Sequence, residues 1–209
     1  MATTAFVINL DERKDRWNKI RRRFINSPIQ LRRIPAIQHK VGAYGLILSV
    51  ICALKAAKEA KLPDVIIMED DCLPVAGWVG KWEQIKEWLD DHPEKWEIYS
   101  GGSTQVQNPK EIGGTEKFKF YDPSLSVAAH WLYIQERSYN KIIRLFKMWS
   151  ETTRVNPMRG VDILMNKLKT VVSHPFIAYQ ESGFSNLQKK TRKLERKFRA
   201  AEKTLRMTR

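Results

Sequence analysis

Apolar residues fall along this 209-residue chain in two kinds of run. Ala5–Leu10 (AFVINL) and Val65–Met68 (VIIM) are short and unbroken, the pattern of strands covered on both faces. After Asp11 the period lengthens: Trp17, Ile20 and Phe24 share a helical face, with Arg21, Arg22 and Arg23 directed outward. Leu31–Ile37 predicts a second, partly exposed strand. Gly42–Gly45 opens a long helix with Leu46, Val50, Leu54 and Ala57 on one face, and Pro63-Asp64 ends it before Val65. Strand, helix, strand, helix, strand predicts a parallel α/β sheet with right-handed crossovers.

The second half is less regular. Trp78–Leu89 predicts a helix, and Trp96–Tyr99 a strand running into Ser100-Gly101-Gly102. Phe118–Tyr121 and Ser126–Ile134 predict strands, partly antiparallel. Ser138 is a candidate cap for a helix carrying Ile142, Ile143, Leu145, Phe146 and Trp149. Asp162–Leu168 predicts a shorter helix and Phe176–Tyr179 a last strand. Trp78, Trp82, Trp88 and Trp96 are expected in the core. Leu187, Leu194, Phe198, Ala201 and Leu205 mark one face of a basic C-terminal helix, read as a solvated helix. Docking on the domain, a partner helix or an anionic membrane surface are alternative uses of that face.

Composition narrows the class. At 43% hydrophobic and 10% aromatic residues the chain can bury a core, which excludes a disordered chain. Net charge is +14, with +8 of it in residues 187–209, so an anionic partner is expected: nucleic acid, an acidic membrane or a phosphate-bearing small molecule. Cys52 and Cys72 are too few for a disulfide scaffold. The longest uncharged stretch, Val41 to Leu54, is too short to span a bilayer, and MATTAFVINL has no basic leader. A cytoplasmic protein, soluble or peripherally membrane-associated, is expected. The charge shift near residue 187 divides a 1–186 domain from the 187–209 helix, and a further domain could follow.

The densest acidic cluster, Glu69-Asp70-Asp71, ends the VIIM strand. In an extended segment residues i and i+2 share a side, so Glu69 and Asp71 can converge while Asp70 faces away. Two adjacent carboxylates repel, and a hard cation such as Mg²⁺ or Mn²⁺ relieves that cost. Mg²⁺ is commonly held by one or two carboxylates plus phosphate oxygens, and open α/β sheets bind ligands at the carboxyl ends of their strands. A metal–diphosphate site therefore fits; a solvated strand end with an aspartate as turn residue or cap fits too.

FVINLDERKDRW, GAYGLILSVICAL and DVIIMEDD, in this order and spacing, resemble glycosyltransferase family 25, the sugar transferases of lipooligosaccharide and collagen-type glycosylation. The likeness covers about residues 5–75 and continues more weakly through WEIYSGG, SVAAHWLYI, RGVDILM and PFIAYQESGFSN. Where the family has Ser-His after the glycine, this chain has Ser49-Val50, so no role for that histidine carries over. The resemblance implies a GT-A-like, Rossmann-like mixed sheet, mainly parallel and flanked by helices, with a donor half near 1–103 and an acceptor half near 104–186. It implies a metal-dependent transferase using a nucleotide-sugar donor, UDP-linked, with Mn²⁺ or Mg²⁺ and a glycan or glycoconjugate acceptor, with inversion. Glu69-Asp70-Asp71 then stands for the DXD-type motif, Asp71 and Glu69 holding the metal.

Asn9, Leu10, Asp11, Arg13 and Arg16 would wrap the nucleotide, an arginine reaching the diphosphate; Asp11 as a helix cap and surface arginines are the alternative. Gly42 and Gly45 bracket Tyr44, which could stack on the nucleotide or pack on the core. Gly101 could admit the donor sugar or simply end a strand. An inverting transfer needs a proton acceptor. Asp162 is the first candidate, since the family carries an Asp in a comparable segment; it could equally cap its helix, and Asp122, Glu181 and His130 compete. His174 sits where many GT-A enzymes place a metal-side histidine. Two other classes remain: a basic nucleic-acid-binding module, which lacks an aromatic-interleaved motif, and a nucleotidyl or phosphoryl transferase, which lacks a GxxxxGK[ST] loop.

Overall fold

The computed structural model describes residues 2–151, 161, 165–185 and 190–208. Its first half follows the hydrophobic pattern closely. Strands β1 (Thr3–Asn9), β2 (Ile29–Pro35) and β3 (Asp64–Glu69) are joined by helices α1 (Lys14–Arg23) and α2 (Gly42–Glu59) and lie parallel, with β1 in the middle. A short strand β4 (Cys72–Pro74) leads into α3 (Trp78–Asp91). The period-2 alternation of each strand sorts its side chains. Ala5, Val7, Ile66 and Met68 pack with α1 and α3 around Ile20, Trp82 and Ile85. Phe6, Ile8, Val65 and Ile67 pack on the other face with Ile47, Val50 and Leu54 of α2.

The second half extends the same sheet with mixed polarity. It contributes β5 (Ile98–Ser100), β6 (Gln105–Gln107), β7 (Lys110–Gly114), β8 (Lys119–Asp122), β9 (Leu125–Val127), β10 (Trp131–Gln135) and β11 (Thr170–His174). Among the described residues the large sheet runs β2-β1-β3-β10-β5-β11-β8-β7. β10 is antiparallel to both β3 and β5, while β11 is parallel to β5. β12 (Ala178–Gln180) pairs with β4, and β13 (Gly183–Ser185) with β14 (Lys190–Arg192). Helix α4 (Glu136–Glu151) covers the α2 face.

Four expectations change. Ser126–Ile134 is two strands, β9 and β10, separated at Ala128–His130, where the chain leaves one sheet for another. Ser138 does not cap α4, which already begins at Glu136; its side chain is buried. β11, which joins β5 to β8, precedes the strand expected over Phe176–Tyr179, and that strand starts only at Ala178. The C-terminal helix, α5 (Glu195–Met207), is not simply solvated. Phe198, Ala201 and Leu205, with Leu194 just before them, are buried against Val106, Tyr121, Val172 and Phe176. Burying one Phe and one Leu contributes roughly 3–6 kcal/mol, enough to hold a helix of this length. The four tryptophans expected in the core are all buried.

Candidate functional site

Because β1, β2 and β3 are parallel, their carboxyl ends meet at one edge, with Asn9 opposite Pro35 and Ile8 opposite Glu69. A cleft of about 330 Å³ opens there, between the strand ends and the start of α2. Leu10, Glu12, Arg16, Glu69, Asp70 and Asp71 line it, together with Gln38, His39, Gly42 and Gly45, and Gln38 donates to the Glu12 carboxylate at 3.2 Å. α2 begins without a side-chain cap and without an acidic residue in its first turn, so the positive end of its dipole is left toward the cleft.

The three carboxylates have different settings. Glu69 is the last residue of β3, and the strand's alternation puts it on the α2 side; its N–H donates to the His130 carbonyl at 3.3 Å. Asp70 was expected to face away, but β3 has ended and the chain turns, so alternation no longer applies. Its side chain is buried beside the cleft, where Asn9 Nδ2 donates to it at 2.7 Å and Arg16 at 2.9 Å. Leaving such a carboxylate without one of these partners costs about 1–3 kcal/mol or more. Asp71 is half-buried, accepts from Gln180 Nε2 at 3.2 Å on both oxygens, and has Arg16 at 3.8 Å.

The loop after β1 divides its work. Asn9 is a brace: its amide also donates to the Arg13 carbonyl, and its Oδ1 accepts from Arg33 at 2.8 Å. Leu10 and Arg16 line the cleft. Asp11 is ion-paired with Arg33. Arg13 is engaged with Asp15, whose carboxyl that hydrogen bond holds down to about 2. Thus of these two arginines it is Arg16, at the start of α1, that lines the cleft.

Gly45 is required by packing. A Cβ there would lie 2.3 Å from the Ile37 carbonyl, and Ser49 fixes the same segment by accepting from the Ile37 N–H at 2.8 Å. Tyr44 packs between His39 and Trp149, with ring centroids 5.2 and 4.9 Å away. Gly101 is also a packing position: its Cβ would meet the Trp131 side chain at 2.7 Å, and its carbonyl accepts from Ile177 and Ala178. Neither Tyr44 nor Gly101 lines the cleft.

His174 stands apart from the carboxylates. It pairs in register with Lys119 at the β11–β8 boundary, and burial lowers its pKa, Arg206 and Lys119 reinforcing and Glu202 opposing. Asp162 lies outside the described residues. Of its competitors, His130 is fully buried and donates to the Ala178 carbonyl at 3.2 Å, burial holding its imidazole down to about 4. Burial raises the Glu181 carboxyl, but hydrogen bonds from Lys19 and Arg23 outweigh it and leave it below its ordinary value. Asp122 ends β8, away from the cleft.

Among the described residues no group of three or more His, Cys, Asp or Glu side chains could hold a metal by itself. Two oxygen-bearing carboxylates facing one cleft still suit a hard cation that takes its remaining ligands from phosphate. Sequence reading missed Glu12, Gln38, His39 and Gln180 in the cleft lining. Gln180 falls within PFIAYQESGFSN, but a neutral polar residue in a loop-rich segment carries no spacing signal.

No family model matches the chain, and no curated protein matches it. Solved structures share its fold. A197 from STIV superposes over 91% of this chain and 93% of its own, with TM-score 0.55 and 11% identity. A glycosyltransferase involved in the glycosylation of the major capsid of PBCV-1 superposes over 82% and 81%, with TM-score 0.50 and 8% identity. Among the described residues no helix is long and apolar enough to cross a membrane.

Proposed function

We propose that this chain is a glycosyltransferase of the family 25 kind, moving a sugar from a nucleotide-diphosphate donor, UDP-linked, to a hydroxyl of a glycan or glycoconjugate with inversion. The observation that carries the reading is the cleft at the carboxyl ends of β1–β3, where Glu69 and Asp71 meet Arg16 and the uncapped start of α2. The fold shared with the PBCV-1 capsid glycosyltransferase supports it.

Glu69 and Asp71 are the residues that would hold Mn²⁺ or Mg²⁺. When bound, the cation neutralises charge on the departing diphosphate. Arg16 adds a guanidinium suited to phosphate oxygens, and its contact with buried Asp70 keeps it oriented toward the cleft. The start of α2 offers backbone N–H groups to the same anion. The acceptor hydroxyl must lose a proton during inversion, and Asp162 is the base we assign.

A thermal-shift screen of nucleoside diphosphates and UDP-sugars, with Mn²⁺ and with EDTA, tests the reading, since a ligand of the native state raises its apparent stability. Stabilisation by UDP that depends on Mn²⁺ supports it. Stabilisation by no nucleotide under either condition overturns it.

A further inference from the structure

We propose that the outward face of α5 is a docking surface for a membrane of anionic phospholipids, held there by charge. The proposal does not depend on what the cleft binds.

The two faces of this helix have separate uses. Phe198, Ala201 and Leu205, with Leu194 before them, are spent on the domain's own core. The opposite face carries Arg196, Arg199, Lys203 and Arg206, spaced three, four and three residues apart. At 1.5 Å per residue they form one ridge about 15 Å long. All four are exposed, as are Lys197 and Lys193, the latter just before the helix. Of the two carboxylates in α5, Glu202 is turned inward to the Phe176 N–H and the Tyr179 hydroxyl. Only Glu195 stays outside, in the first turn, where the helix dipole favours it. Six cations therefore face solvent against one carboxylate. The positive field continues past the helix: Arg206 and Lys119 of β8 both lie close enough to His174 for their charges to act on it.

Shape and chemistry select among anionic partners. An amphipathic helix at a membrane normally sinks its apolar side into the headgroup region. That side of α5 is already buried in protein, so the helix lies on the surface without entering it. The attraction is then that of a polybasic segment to an anionic leaflet. Ala200 and Thr204, beside the ridge, are small and exposed, so a flat surface can come close to the cations. A single-stranded nucleic acid needs aromatic rings on which its bases stack. Among the described residues the exposed large hydrophobics are Ile25, Ile37, Leu73, Met148 and Met207, none of them aromatic. Duplex recognition places a helix within the major groove, whereas α5 is docked along its length on the domain and presents only a low ridge. Membrane contact also leaves the cleft open. Tyr179 faces α5 and the next residue, Gln180, lines the cleft, so the two lie on opposite sides of β12.

The test is co-sedimentation of the full chain with phosphatidylcholine vesicles, with and without about one-third phosphatidylglycerol, in low and high salt. Wild type is expected to bind the anionic vesicles, to release them as salt rises, and to ignore the neutral ones. A ridge variant combines Arg196→Gln, Arg199→Gln, Lys203→Gln and Arg206→Gln. At roughly fivefold per cation it should bind anionic vesicles at least about a hundredfold more weakly. A control variant combines Arg21→Gln, Arg22→Gln, Arg32→Gln and Lys55→Gln, losing the same charge from exposed positions elsewhere. It should weaken binding by less than about fivefold. All the substituted side chains are exposed, so both variants should keep the melting temperature of wild type. Fluorescence anisotropy with single-stranded and duplex oligonucleotides is measured at the same salt. Wild type that binds neutral vesicles as well as anionic ones, a ridge variant that binds like wild type, or a control that loses as much as the ridge variant overturns the proposal. So does an oligonucleotide bound more tightly than the anionic vesicles.

Discussion

Two carboxylates far apart in the chain, Asp71 and Glu202, show how differently this sheet uses charge. Asp71, two residues past the end of β3, lines a cleft and accepts from the Gln180 amide. Glu202, in α5, accepts from the Phe176 N–H at 3.2 Å and from the Tyr179 hydroxyl at 3.1 Å, pinning the helix to the β11–β12 connection and to β12. The first carboxylate lies where parallel strands stop together and leave a gap. The second lies where a helix has filled the gap. The difference separates chemistry from scaffolding: polar residues along the β1–β3 edge should govern ligands, while those beneath α5 should govern stability.

Mutations can break that division. Phe198→Ala removes a fully buried ring from under α5 and should destabilise the fold by about 3–5 kcal/mol in denaturant unfolding. UDP affinity of the remaining folded protein should not change; a parallel loss would join the two regions. Asp71→Ala should do the reverse. Removing charge stabilisation of several kcal/mol should lower sugar transfer at least about a hundredfold, with little change in melting temperature. Full metal-dependent activity in that variant would remove Asp71 from the site.

A pH titration tests the seam between the regions. His130 gives its carbonyl to Glu69 and packs its ring edge-on against Phe198. The fold holds this imidazole neutral down to about pH 4, whereas in the unfolded chain it protonates near 6.5. The unfolded state therefore binds more protons between those values. The stability His130 contributes is complete above about pH 6.5 and is lost as pH falls toward 4, by up to about 3 kcal/mol. His130→Gln should flatten that part of the stability–pH curve; an unchanged slope would contradict the assignment. The smallest effect is expected at Glu202→Gln, which keeps shape but weakens two hydrogen bonds. It should cost about 1 kcal/mol with transfer unaffected.

The first half was legible because parallel strands covered on both faces need unbroken apolar runs, and AFVINL and VIIM supply them. The carboxyl ends of such strands are ligand sites by topology, so Glu69, Asp71 and Arg16 could be named in advance and do line one cleft. β11 escaped because TVVSH mixes Thr, Ser and His into a buried strand; its Ser173 hydroxyl is satisfied by Tyr99 at 2.8 Å, a partner 74 residues away. The apolar face of α5 was visible, but its dock is assembled from Val106, Tyr121, Val172 and Phe176, with no spacing that links them. Asp70 lies one residue past the end of β3, where strand alternation no longer predicts the direction of a side chain. Gln180 reaches Asp71 only through the β4–β12 pairing, a tertiary fact.

The most direct measurement is a crystal of the chain soaked with UDP and Mn²⁺, with anomalous diffraction locating the manganese. The expected result is a manganese peak beside Glu69 and Asp71, with the diphosphate between it and the start of α2 and Arg16 on a phosphate oxygen. Nucleotide bound elsewhere, with no manganese at residues 69–71, would contradict it.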